Sequence, residues 1–155
     1  MIEELELKHV LPYLSYGLMV NTADCKYNEV FSVEMENGDL GLTDNFYALK
    51  WVKPLLRPMS DLFESIVHNG EIVCVAKLII EEAKKHTGFF DWEIENYQGK
   101  DVIVRGKGGV FMPFDNPHLL ENWTVEILNE HHFDWRYDLL LKGLAEPIVN
   151  DKTKA

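Results

Sequence analysis

The segment Glu29-Val30-Phe31-Ser32-Val33-Glu34-Met35 alternates apolar and polar residues, and Asn37-Gly38 follows almost at once. A period of two is the mark of a half-buried strand, because successive side chains leave a strand on opposite faces. Asn-Gly is the strongest short hairpin signal, since both residues tolerate the positive φ of a tight two-residue turn. Leu40 and Leu42 carry the apolar face onto the return strand. The pattern predicts a hairpin with Asn37-Gly38 at its tip and Phe31, Val33, Met35, Leu40 and Leu42 on its core face. Any fold of this chain must accommodate that ribbon.

Along the rest of the chain, glycines and prolines separate short elements. Leu5 to Leu14 reads as an opening helix that Pro12 breaks or ends. Gly17 to Val20 reads as a brief strand. Tyr47 to Val52 reads as another, leading into Lys53-Pro54-Leu55-Leu56-Arg57-Pro58. The two prolines bias the residues before them towards extended geometry, so 53–58 is expected to be a stiff crossing anchored by Leu55 or Leu56. Ser60 or Asp61 would cap a short helix ending before Asn69-Gly70. Ile72 to Val75 is β-branched enough for a strand.

From Ala76 the period turns helical, with Ala76, Ile79, Ile80 and Ala83 on one face. Glu81 and Lys85 are spaced as an ion pair, and Gly88 is the stop. Phe90, Trp92 and Ile94 alternate with acids before a Gln98-Gly99 turn and the return strand Val102-Ile103-Val104. The loop Gly106 to Gly109 and a short strand Val110 to Met112 come next. Asn116-Pro117 opens a helix whose apolar face is Leu119, Leu120, Trp123, Ile127 and Leu128. Asp134 would cap a last helix through Leu141, ended by Gly143. Strands and helices are grouped rather than strictly alternating, which makes the class α+β. The expected architecture is two antiparallel β-hairpins, or a small mixed sheet, packed with about four helices. It forms a single domain over 1–149, and 150–155 is a frayed polar tail.

Composition narrows the function classes. The chain has 155 residues, 46% of them hydrophobic and eighteen of them Phe, Trp or Tyr. That is ample for a core and excludes disorder throughout. No apolar run approaches the roughly 20 residues that cross a bilayer. Cys25 and Cys74 form no Cys-x-x-Cys pair, and the acidic start Met1 to Glu6 lacks the regions of a signal peptide. Both features point to reduced thiols and the cytoplasm.

The net charge of −11 opposes binding to duplex nucleic acid, which needs a basic face to displace counterions. Glu29 to Asp44 holds five acids and no Lys or Arg, and Asp115 to Asp138 holds six against Arg136 alone. Such acidity serves solubility first; its sharper use is to dock on a basic partner or to imitate nucleic acid. Lys53 and Arg57 are a basic island against that background, and mark a candidate partner contact.

Catalytic chemistry has weaker footing. Glu130-His131-His132-Phe133-Asp134 carries the atoms for a metal, but neighbouring helical residues point about 100° apart. No His-x-x-x-His pair occurs. His132 and Asp134 would be the ligands, joined by His118 or His86, only if the helix breaks there. A packed corner is the expected role instead. Gly106-Lys107-Gly108-Gly109 lacks the P-loop pattern and reads as a strand connection rather than a phosphate cradle. No cofactor motif is present, and no serine or cysteine lies in a nucleophile pattern.

Three segments occur together in a telling order: Leu11 to Leu18, Lys53 to Leu62 with His68-Asn69-Gly70-Glu71, and His132-Phe133-Asp134 with Leu139 to Ala145. The chain resembles, in these segments, a family of small uncharacterised proteins encoded by phages and prophages of gut Bacteroidetes. The resemblance covers about a third of the chain and carries no catalytic residue. It implies a mobile-element origin and a bacterial cytoplasmic setting. The expected function is a non-enzymatic phage or prophage accessory protein that binds a protein partner. The alternatives are an acidic, nucleic-acid-mimicking inhibitor of a host defence or DNA-processing protein, and a small metal-dependent hydrolase.

Overall fold

The structure, a computed structural model, describes residues 3–23, 26–34, 36–42, 45–106, 112, 114 and 117–149. They contain three α-helices, α1 (Leu7–Leu14), α2 (Val75–Thr87) and α3 (Asn122–Glu130). The strands are β1 (Met19–Thr22), β2 (Asn28–Glu29), β3 (Ser32–Val33), β4 (Leu40–Gly41), β5 (Phe46–Tyr47), β6 (Val52–Leu56), β7 (Ile66–His68), β8 (Glu71–Val73), β9 (Trp92–Tyr97), β10 (Lys100–Arg105) and β11 (Glu146–Pro147). The expectation of two hairpins or one mixed sheet with about four helices is thus corrected. The fold is mixed α+β, with three α-helices and eleven strands in four small sheets among the described residues. These residues divide into two compact units, one reaching Pro58 and resuming at His132, the other Met59–His131.

In unit 1 the four-stranded sheet runs β11-β6-β1-β2 and a three-stranded sheet runs β3-β4-β5. The Lys53–Pro58 crossing is extended as expected, but most of it is β6, the strand between β1 and β11. β11 pairs only with Leu55 and Leu56, so the N–H that Pro54 lacks falls before that pairing begins. Leu55 and Leu56 are both buried, and Leu56 joins Val10, Tyr13, Leu18, Val20, Leu40, Val52 and Leu139 in one core. Pro12 lies inside α1 rather than ending it, at the cost of one helical hydrogen bond near the last turn.

The hairpin register differs from expectation. Val33 pairs with Leu40 and the Glu34 N–H donates to the Asp39 carbonyl, so the turn is wider than Asn37-Gly38 alone. The Glu34 carboxylate accepts from the backbone N–H of Glu36 and of Asn37, at 2.9 Å each, which stabilises the wider turn. The alternating segment also bends. Glu29 pairs with Met19 in one sheet and Ser32 with Gly41 in the other. Val30 is buried at the bend and Phe31 is 62% exposed, so Phe31 does not face the core. Leu40 and Leu42 do, both being buried. Met35 lies outside the described residues.

A two-residue turn occurs at the other Asn-Gly. Asn69 (φ 51°) and Gly70 (φ 78°) join β7 to β8 through the His68–Glu71 pair. The helix expected from Ser60 is therefore only a 3-10 turn, Met59–Asp61. The β-branched residues Ile66, Val67, Ile72 and Val73, flanking a strong turn, prevail over the capping residues. The last expected helix is absent too, because Asp138 (φ 53°) stands in the left-handed region that an α-helix excludes. Asp134 still caps backbone, accepting the Leu140 N–H at 2.9 Å, but it caps a run of turns.

Unit 2 follows the sequence more closely. Ala76, Ile79, Ile80 and Ala83 are buried on α2, and Gly88 (φ 75°) ends it with its N–H on the Lys84 carbonyl. Glu81 pairs with Lys84 rather than Lys85, and Glu82 takes Lys85. Gln98 and Gly99, both at positive φ, turn β9 into β10. The helix expected from Pro117 starts later: Pro117–Leu119 is a 3-10 turn and α3 begins at Asn122. Of the expected 110–112 strand only Met112 is described, and its N–H donates to the Ile103 carbonyl. Gly106 is described at φ 70°, whereas 107–109 and the 150–155 tail lie outside the described residues.

Candidate functional site

The histidine cluster is split by its own hydrogen bonds. His131 closes α3 in unit 2, its Nδ1 2.8 Å from the Ile127 carbonyl, and its ring lies against His68 with centroids 4.5 Å apart. His132 belongs to unit 1, where Nε2 donates to the Tyr16 carbonyl at 2.7 Å. A carbonyl can only accept, so Nε2 carries the hydrogen. Beside it the Arg57 N–H donates to the His132 carbonyl (2.7 Å) and the Asp134 N–H to the Arg57 carbonyl (2.8 Å). The Tyr13 hydroxyl donates to the Phe133 carbonyl at 2.6 Å. Burial first, and then the charge of Asp134, push the Tyr13 phenol well above its ordinary range. His132 and Asp134 are thus parts of a buried backbone clasp. Among the described residues no group of three or more His, Cys, Asp or Glu is placed to hold a metal.

His86 and His118, considered as companions of His132, sit in unit 2. Lys53 is exposed on β6, where a partner can meet it. Arg57 is 3% exposed and lies within unit 1, so its charge does not reach the surface as Lys53's does.

Two surfaces that sequence reading did not single out have more to offer. On unit 1, Phe46 stands on β5 over Gly41, where a side chain would collide with Ser32 and reach 3.0 Å from the Phe46 ring. That glycine leaves room for the ring beside the strand, yet Phe46 remains 52% exposed and Phe31 62%. Both belong to the β3-β4-β5 region, within or next to the stretch 29–44 that has five acids and no base. Two exposed aromatic rings thus lie in or beside a segment rich in acids.

On unit 2, the β9–β10 register sets Trp92 opposite Arg105. With Phe89, Leu119, Glu121 and Trp123 they line a niche of about 300 Å³. Its walls are held by specific contacts. Trp92 Nε1–H donates to Thr87 Oγ1 (3.1 Å), whose own hydrogen goes to the Ala83 carbonyl (2.6 Å). His86 stacks on Trp123 within 4° of parallel, with centroids 5.2 Å apart. The left-handed Gly88 reverses the chain so that Phe89 follows α2 back, and the Arg105 guanidinium lies 3.8 Å from the centre of the Phe89 ring. The other face of the ribbon, bearing Lys100 and Val102, walls a larger groove of about 560 Å³ with Phe63 and Phe114.

The sequence did hold a signal for the niche. Counting outward from a two-residue Gln98-Gly99 turn puts Arg105 across from Trp92. No protein-family model, no curated protein and no solved structure matches the chain. No helix among the described residues is long and apolar enough to cross a membrane.

Proposed function

We propose that this chain is a non-enzymatic accessory protein of a phage or prophage that acts by binding a protein partner, and that the partner is basic. One observation carries the reading: Phe31 and Phe46 are largely exposed on one small sheet region, inside or beside a stretch of acids without a single base. Exposed aromatics are the kind of anchor that protein interfaces bury, and exposed apolar patches mark interaction sites. The surrounding carboxylates select a partner whose apolar contact is ringed by Lys or Arg, and speed its encounter. The three phage-like segments supply the setting.

The test uses the chain immobilised against a bacterial host extract, side by side with a Phe31→Ser/Phe46→Ser variant. The reading expects a basic protein retained by the first, lost from the second, and released progressively by salt. Equal retention by both, or retention indifferent to salt, would remove this surface from consideration.

A further inference from the structure

We propose that the unit 2 niche is a binding site for an aromatic carboxylate, with Arg105 receiving the carboxylate and Phe89, Trp92 and Trp123 enclosing the ring. This chain has 26 acids, yet among the described residues Arg105 makes no ion pair, and its Nε–H is buried without an acceptor. Glu121 in the lining and Asp91, beside Gly106, both leave it unpaired. A half-buried guanidinium in an acidic protein ordinarily takes a carboxylate of its own.

What Arg105 has instead is the face of Phe89 at 3.8 Å. Stacking engages the flat face of the guanidinium and leaves its in-plane N–H donors for an acceptor. The same niche is lined by two indole rings whose positions are already set, Trp92 by Thr87 and Trp123 by His86. A second positive feature lies next to them. The first turn of α3 has no side-chain cap, and its Glu121, Trp123 and Thr124 line the same niche. Uncapped N–H groups and the helix dipole favour an anion there. At about 300 Å³ the space is at the small end of ligand sites and suits a single aromatic ring with a short acidic arm.

The same chemistry is offered by a small acid and by a C-terminal aromatic residue of a peptide. Isothermal titration of the full chain with 3-phenylpropionate and with acetyl-Gly-Phe, each against its amide, tests the shared chemistry and separates the sources. Both acids are expected to outbind their amides by about tenfold or more, and the tighter acid names the source. Trp92 and Trp123 indole N–H resonances should shift on adding acid to the unmodified protein, which needs no variant. Arg105→Gln should abolish the preference for acid over amide, and Arg105→Lys should keep part of it. Equal binding of acid and amide, no binding of either acid at millimolar concentration, or an unchanged preference in Arg105→Gln with native circular dichroism would each overturn the assignment.

Discussion

His132 donates its Nε2 hydrogen to the carbonyl of Tyr16, 2.7 Å away and 116 residues earlier in the chain. The bond is part-buried, and His132, itself buried, holds a left-handed backbone (φ 59°) to make it. His132→Ala leaves the Tyr16 carbonyl unmatched, and should lower unfolding free energy by about 1–3 kcal/mol. His132→Asn tolerates the same backbone better and should lose less. Urea titration of both variants checks this, and equal losses would assign the whole effect to the lost hydrogen bond.

Tyr13 should behave alike at neutral pH and differently in base. Tyr13→Phe removes the 2.6 Å bond to the Phe133 carbonyl, at about 1–3 kcal/mol. The phenol is held protonated in the fold above its ordinary value of 10.0. The unfolded chain releases that proton first, so this contribution is complete below pH 10 and is lost as the pH rises further. Melting temperatures measured from pH 8 upward should fall more steeply for the native chain than for Tyr13→Phe.

His9 sets the acid side. Its Nδ1 accepts the Glu6 N–H at 2.9 Å and its ring meets Tyr137 edge-on at 4.8 Å, an arrangement suited to the neutral form. Burial holds its pKa below 6.5; the charges of Glu6 and Glu3 oppose the shift, and those of Lys8 and Lys142 reinforce it. The unfolded chain therefore takes up this proton first, and stability present above pH 6.5 drains as the pH falls below it. Denaturation midpoints between pH 6.5 and about 5, above the ordinary carboxylate range, should slope less in His9→Gln than in the native chain.

Phe31, just before β3, and Leu40 on β4 make a contrasting pair. Phe31→Ala should change stability by no more than about 0.5 kcal/mol, as exposed substitutions do. Leu40→Ala, at a fully buried site, should cost about 2–5 kcal/mol. Similar losses in the two, measured by urea titration, would return Phe31 to the core.

That contrast shows where the sequence was readable. Period alone found the buried face of α2, and turn chemistry alone found Gln98-Gly99, because both depend on neighbours in the chain. Phe31 failed because the alternation from Glu29 to Met35 serves two sheets, and a bend between pairing partners leaves no local trace. The two Asn-Gly pairs failed for a related reason. Glu34 widens the turn at Asn37 with its carboxylate, whereas Asn69-Gly70 is flanked by β-branched residues and closes tightly. The clasp at His132 depends on Tyr16 and Arg57, and the niche at Arg105 on Phe89 and Trp123. Such meetings are set by tertiary contact, so residue types named the players without naming who meets whom.

The clasp has a consequence for how the chain assembles. Arg57 and His132 bracket the Met59–His131 stretch of unit 2, so joining them closes that stretch into a loop. An unstructured loop of that length resists closure by its entropy, though the penalty grows only slowly with length. Once the intervening stretch has folded, its ends are no longer free to wander and the effective loop shortens. During synthesis all of Met59–His131 emerges before His132, while β6 waits for β11. The unit that begins second along the chain is the one that can finish first.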